Sequence, residues 1–236
     1  MARIKGILFD KDGTLIDFDR TWFAIADHMA LKAANGAREE ADRLLAIAGY
    51  DFAAKRFQAD SVFAAGTNAD IIALWYPHQT DAERMATLDE CNRFTSENGG
   101  GKPHPLNGIK ETLTALHGSG YRLGVATNDS TTGAERTLSS LGMAQLFDAV
   151  YGYDAVANPK PAADTIRAFC DLTGLKPAEV AMVGDNRHDL VMARNGDCGL
   201  AVAVLSGTGT RETLAPMADA VIGSVVELPA LLAERG

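Results

Sequence analysis

From residue 107 to the C-terminus, short apolar runs alternate with helically patterned segments, and this alternation leaves few folds open. Arg122 to Ala126 (RLGVA) reads as a strand. Before it comes a helix with Ile109, Leu113 and Leu116 at helical spacing, ended by Gly118 and Gly120. A helix through Leu138 and Leu141 stops at Gly142, and Phe147 to Tyr151 is the next strand. The unit then repeats: a helix bearing Ile166, Phe169 and Cys170, a strand at Val180 to Val183, a helix from Asn186 to Asn195. Strands at Leu200 to Leu205 and Ala220 to Ile222, and a last helix near Val225 to Glu234, complete the series. Ile4 to Phe9 adds one more strand at the N-terminus. Strands joined through helices run parallel, and a parallel sheet needs both faces covered. The expected class is α/β.

Residues 19 to 98 follow another pattern. Ala-rich amphipathic stretches dominate (Trp22 to Ala34, Arg38 to Ala48, Asp81 to Thr95), and no strand is expected among them. The segment runs out in Glu97-Asn98-Gly99-Gly100-Gly101, where missing side chains make a working hinge. Pro103 and Pro105 then stiffen the return. This reads as a helical domain, residues 19–99, inserted after the first strand of a core built from residues 1–18 and 100–236. A length of 236 residues accommodates one main domain with such a companion.

Composition narrows the function. With 47% hydrophobic and 22% charged residues the chain buries a core, which excludes global disorder. Its net charge of −9 supplies no field to draw in nucleic acid or an anionic membrane, though a small anionic substrate needs only local charge. Cys91, Cys170 and Cys198 are an odd number without paired spacing, as in a reducing compartment. The apolar run Ile7-Leu8-Phe9 is too short for a signal peptide, and no run reaches membrane-span length. A cytoplasmic location is expected, as a monomer or homodimer.

The chemistry-bearing residues sit after strands, where open parallel sheets bind ligands. Asp10-Lys11-Asp12-Gly13-Thr14 follows the first strand; Thr127-Asn128 follows Val125-Ala126; Lys160 lies between Pro159 and Pro161; Gly184-Asp185-Asn186-Arg187-His188-Asp189 follows Val183. If these strands are neighbours, Asp10, Asp12, Asp185 and Asp189 converge, and clustered carboxylates either raise each other's pKa or hold a cation. An all-oxygen site of this kind suits Mg²⁺ beside a phosphate. Lys160 and Thr127 then offer a charge and a donor to a phosphoryl group, and a carboxylate can act as nucleophile.

These four segments, in this order, resemble the four motifs of the haloacid dehalogenase superfamily, in its helical-cap phosphatase subgroup, over residues 4 to about 205. The resemblance implies a Rossmann-like parallel-sheet core with an inserted α-helical cap. It implies Asp10 as nucleophile, Asp12 as general acid/base, Thr127 and Asn128 as phosphoryl-binding residues, and Lys160 as stabiliser of the charge shared with Asp10. Mg²⁺ would be held by the Asp10 carboxylate, the Asp12 backbone carbonyl and Asp185, with Asp189 in support. An acid two residues after the nucleophile is similar to the phosphatases rather than the dehalogenases, and phosphoglycolate is the first substrate expected. The family often has Thr or Ser after the fourth-motif Asp, where this chain has Asn186-Arg187-His188. A phosphomutase acting on a sugar phosphate and a non-catalytic binding protein on the same fold are the alternatives.

Other features read as structural. Gly207-Thr208-Gly209-Thr210 lacks the ending of a phosphate-binding loop and reads as a turn. His188 reads as a surface residue, with a place bordering the site as the alternative; Trp22 and Phe23 read as packing for the inserted helices, the alternative being that the first of these helices, with Arg20 and Trp22, faces the substrate.

Overall fold

The computed structural model describes residues 3–59, 61–99 and 103–235. Six parallel strands form the main sheet: β1 (Gly6–Phe9), β4 (Arg122–Ala126), β5 (Ala149–Tyr151), β6 (Val180–Gly184), β7 (Leu200–Val204) and β8 (Ala220–Ile222). Their order is β5-β4-β1-β6-β7-β8. β1 is the pivot. The chain runs outward from it through β4 and β5, then returns to its other side for β6, β7 and β8. A crevice opens at such a reversal, at the carboxyl ends of the strands.

Apolar clusters cover both faces of the sheet. One gathers Ile7, Phe9, Leu113, Val125, Leu138 and Val183; the other gathers Leu8, Ile166, Phe169, Met182 and Leu190. Successive residues of β1 thus alternate between the two faces, and all four of them are buried. The expected helical stripes are the buried ones: Ile109, Leu113 and Leu116 in α6 (Ile109–Gly118), and Ile166, Phe169 and Cys170 in α8 (Asp164–Thr173). α7 (Thr131–Ser140) starts at Ser130, whose hydroxyl accepts from Gly133 N–H, and so holds an otherwise orphaned amide.

Between β1 and α6 lie α1 (Phe18–Ala33), α2 (Arg38–Ile47), α3 (Val62–Ala65), α4 (Asn68–Trp75) and α5 (Asp81–Gly99). They enclose a separate apolar cluster that includes Phe18, Trp22, Leu45, Phe57, Phe63 and Trp75. The sequence reading needs two corrections here. Tyr50–Asp51 (β2) and Arg56–Phe57 (β3) form a small antiparallel hairpin where no strand was expected. It is only two residues a side, too short for alternation to register. α3 and α4 are the second omission, although Thr67 and Asp70 form a reciprocal capping box ahead of Ile71 and Ile72.

The chain leaves the sheet and returns to it along paired segments. Asp17 N–H donates to His104 O, Leu106 N–H donates to Leu15 O, and Ile16 bridges Pro105. The expected hinge at Gly99–Gly101 lies largely outside the described residues. No helix among the described residues is long and apolar enough to cross a membrane.

Candidate active site

Register brings the four segments together. Phe9 pairs with Val125 on one side and Val183 on the other, so Asp10 stands level with the ends of β4 and β6. Asp10 N–H continues the ladder to Val183 O at 2.8 Å. Asp10, Asp185 and Asp189 are all buried and can place carboxylate oxygens within 4.8 Å of one another. Lys160 Nζ lies between two of them, 2.6 Å from Asp10 Oδ1 and 2.7 Å from Asp189 Oδ1.

Each acid is fixed by the backbone around it. Asp189 is in the first turn of α9 (Arg187–Asn195), and its second oxygen accepts Asn186 N–H at 3.0 Å as part of a capping box. Asp185 accepts Thr208 N–H at 2.8 Å on Oδ2 and faces the Thr14 hydroxyl at 3.4 Å on Oδ1. A Cβ at Gly207 would come within 2.0 Å of Asp185 Oδ2, so glycine is the residue that fits there. The Gly207–Thr210 turn is therefore structural, and it also orients a site acid; the sequence offered no sign of that second role.

Asp12 lines the same cleft, but its carboxylate has other partners. Its Oδ1 accepts the indole N–H of Trp22, and its Oδ2 lies 2.7 Å from Lys11 Nζ. Lys11 is fully buried and also pairs with Asp129 at 3.1 Å. The carboxylate group that could hold a metal is thus Asp10, Asp185 and Asp189, and Asp12 is not part of it. Trp22 packs the inserted helices as expected and, in addition, reaches the site.

Thr127 is buried; its hydroxyl accepts Asp129 N–H at 3.1 Å, which leaves its own proton to donate. The Asn128 amide donates to Ala65 O at 2.8 Å and to Lys160 O at 3.4 Å. His188 lines the cleft rather than the outer surface, with Nδ1 3.1 Å from the same Ala65 O. Since a carbonyl only accepts, Nδ1 carries the proton. Two motif residues thus grip one carbonyl of α3. The cleft's other wall is Phe18, Trp22, Phe63, Asn68 and Ile71. Of that wall, only Trp22 was singled out from sequence.

Burial foremost, then repulsion from Asp189, raises Asp185 to about 7. Burial likewise holds Asp10 well above the ordinary carboxylate range; Lys160 opposes this, and Asp189, Asp185 and Asp12 add to it. Burial lowers Lys160, but Asp10 and Asp189 more than reverse that, so its ammonium persists. Three buried carboxylates against one ammonium leave a deficit that a divalent cation balances, and an oxygen-only donor set fits a hard ion. Residues and group agree.

This predicts a pH signature. The folded pKa of Asp185 lies above its ordinary 3.8, so its contribution to stability is complete below 3.8 and is lost as pH rises through about 7. Without divalent ions, Tm is expected to fall across that window. Added Mg²⁺ restores it, and does so more at about pH 8 than at about pH 5, because binding must displace the proton at the lower pH. Melting curves at both pH values check this; equal stabilisation would exclude these acids as ligands.

A model described as haloacid dehalogenase-like hydrolase matches residues 4–197. The chain belongs to that family. Among its curated relatives, a phosphoglycolate phosphatase of Salmonella typhi is 30% identical over 215 residues, covering 84% of this chain and 80% of the relative. A phosphoglycolate phosphatase of Vibrio vulnificus strain YJ016 is 29% identical over 197 residues, with 83% and 81% covered. Among solved structures, CbbY from Rhodobacter sphaeroides, in complex with phosphate, is 25% identical with a TM-score of 0.66, covering 95% of this chain and 96% of that one. A haloacid dehalogenase-like hydrolase from Streptococcus pneumoniae, 21% identical, has the same fold at a TM-score of 0.73 over 98% of this chain and 99% of that one.

Proposed function

We propose that this hydrolase cleaves a small phosphate monoester through a phospho-Asp10 intermediate, with Mg²⁺ as its metal. The observation that carries the reading is Asp10 at the head of the pivot strand, paired with Lys160 and grouped with Asp185 and Asp189. The phosphatase relatives and the phosphate held by CbbY support it.

The Asp10 carboxylate attacks phosphorus. The ester P–O bond breaks, and its electron pair leaves on the ester oxygen, which takes the proton of Asp12. Asp12, now a carboxylate, takes a proton from water as that water attacks phosphorus; the P–O bond to Asp10 breaks and the carboxylate returns. Ester and water become alcohol and phosphate. Thr127 donates its free hydroxyl proton to a phosphoryl oxygen, and the Lys160 ammonium offsets the charge shared by that group and Asp10. Asn128 borders the phosphoryl site while its amide grips Ala65 O. The Asp10 carboxylate, the Asp12 backbone carbonyl and Asp185, with Asp189 in support, would hold Mg²⁺, which would supply positive charge beside the phosphoryl oxygens.

Residues 19–99 act in this reading as a cap that excludes water over the cleft and reopens for exchange, the paired crossings at Ile16 and Pro105 being its stems. The free thiols of Cys91, Cys170 and Cys198 fit a cytoplasmic setting. The relatives make 2-phosphoglycolate the first ester to test.

The deciding experiment is phosphate release from a panel of small phosphate esters, 2-phosphoglycolate included, with and without Mg²⁺. Mg²⁺-dependent release is expected. An isomeric ester in place of free phosphate would overturn hydrolysis in favour of transfer.

A further inference from the structure

Lys11 stands between the two first-motif acids, yet its side chain does not line the cleft. It points under the site and is fully buried, with Nζ 2.7 Å from Asp12 Oδ2 and 3.1 Å from Asp129 Oδ2. Its ammonium also sits 5.2 Å from the centroid of the Trp22 ring, whose N–H is bonded to the other oxygen of Asp12. Asp129 is anchored in turn: its carboxylate accepts Ser130 N–H at 2.7 Å, and its own N–H donates to Thr127 Oγ1. Both oxygens of Asp12 are therefore engaged, one by Lys11 and one by Trp22 of α1.

A carboxyl group at the end of a rotatable bond must aim one oxygen at the ester oxygen to transfer a proton, and misplacement by an ångström is costly. We propose that Lys11, anchored by Asp129 and roofed by Trp22, is a positioning residue that aims Asp12 at the leaving-group oxygen. Lys11 touches no reacting atom; it acts through Asp12. The inference rests on the phosphatase reading given above.

The test separates positioning from mere bracing, because only a poor leaving group needs the proton. On P–O cleavage an alkyl phosphate releases an alkoxide that must take the proton of Asp12, whereas p-nitrophenyl phosphate releases a stable phenolate that need not. kcat/KM reports events up to that cleavage, so the two esters are compared in wild type, Lys11→Met and Asp129→Asn. With general acid catalysis typically contributing about 10²–10⁴-fold, Lys11→Met is expected to lose about 10²-fold on the alkyl ester and less than about threefold on p-nitrophenyl phosphate. Asp129→Asn shows the same split in smaller measure, and it decides the matter if Lys11→Met does not fold by circular dichroism. Equal losses on both esters, or no loss, would overturn the positioning role while leaving the phosphatase reading intact. A wild-type chain that releases phosphate from neither ester, nor from any in the panel, would overturn that reading and this inference with it.

Discussion

Asp10→Asn is expected to abolish phosphate release from every ester while the fold persists. The amide keeps the shape of the carboxylate but cannot attack phosphorus, so turnover falls by about 10⁴- to 10⁶-fold, the scale on which loss of a nucleophile acts. Stability changes little. Burial makes the Asp10 charge costly, Lys160 offsets part of that cost, and Asp189, Asp185 and Asp12 add to it. An amide gives up the Lys160 pair and the repulsion together. Two measurements check this: phosphate release, and trapping of a labelled phosphoryl group by acid quench, seen in the parent and absent in Asp10→Asn. A variant that turned over at the parent rate would show that the nucleophile lies elsewhere.

Lys160→Ala has the second largest effect, and it has two parts. Asp10 and Asp189 lose the ammonium that each holds within 2.7 Å, and both lie buried. Removing one partner of a buried ion pair costs about 3–5 kcal/mol, so Tm drops in the metal-free protein. The site also becomes more negative, which tightens divalent binding. The expected result is a less stable apo chain that Mg²⁺ rescues more strongly than it rescues the parent, with kcat still reduced by about 10²-fold or more for want of the charge facing the phosphoryl group. Calorimetry with and without Mg²⁺, beside steady-state rates, reads both parts. Weaker Mg²⁺ binding than in the parent would mean that Lys160 supports the metal rather than opposing it.

These two residues were legible in the sequence because each lies in a short segment with a local mark of its own. Asp10 follows the apolar run Ile7-Leu8-Phe9, and Lys160 lies between two prolines. Lys11 lies inside the first segment and Asp129 directly after Thr127-Asn128, and neither was given a role. A lysine beside two acids reads as solvated charge, and only burial makes it a brace. Thr208 was read as a turn for the same reason: the turn is local, whereas the acid it holds is 23 residues away in sequence. For His188 the surface was the first reading, and the carbonyl that draws it into the cleft belongs to α3, 123 residues earlier.

The sequence by itself determined the α/β class, the parallel core, the helical stretches that follow the first strand and the four segments that meet at the cleft. Periodicity and strand-end position are local properties, written in consecutive residues. Only the tertiary structure decided which side chains meet. It drew Asp10, Asp185 and Asp189 into one cluster, with Lys160 between Asp10 and Asp189, and paired the Asp12 carboxylate with Lys11 and Trp22. It also hung α3 on Asn128 and His188. Such pairings depend on strand order and on the direction of side chains across a sheet, and a linear pattern carries no record of either.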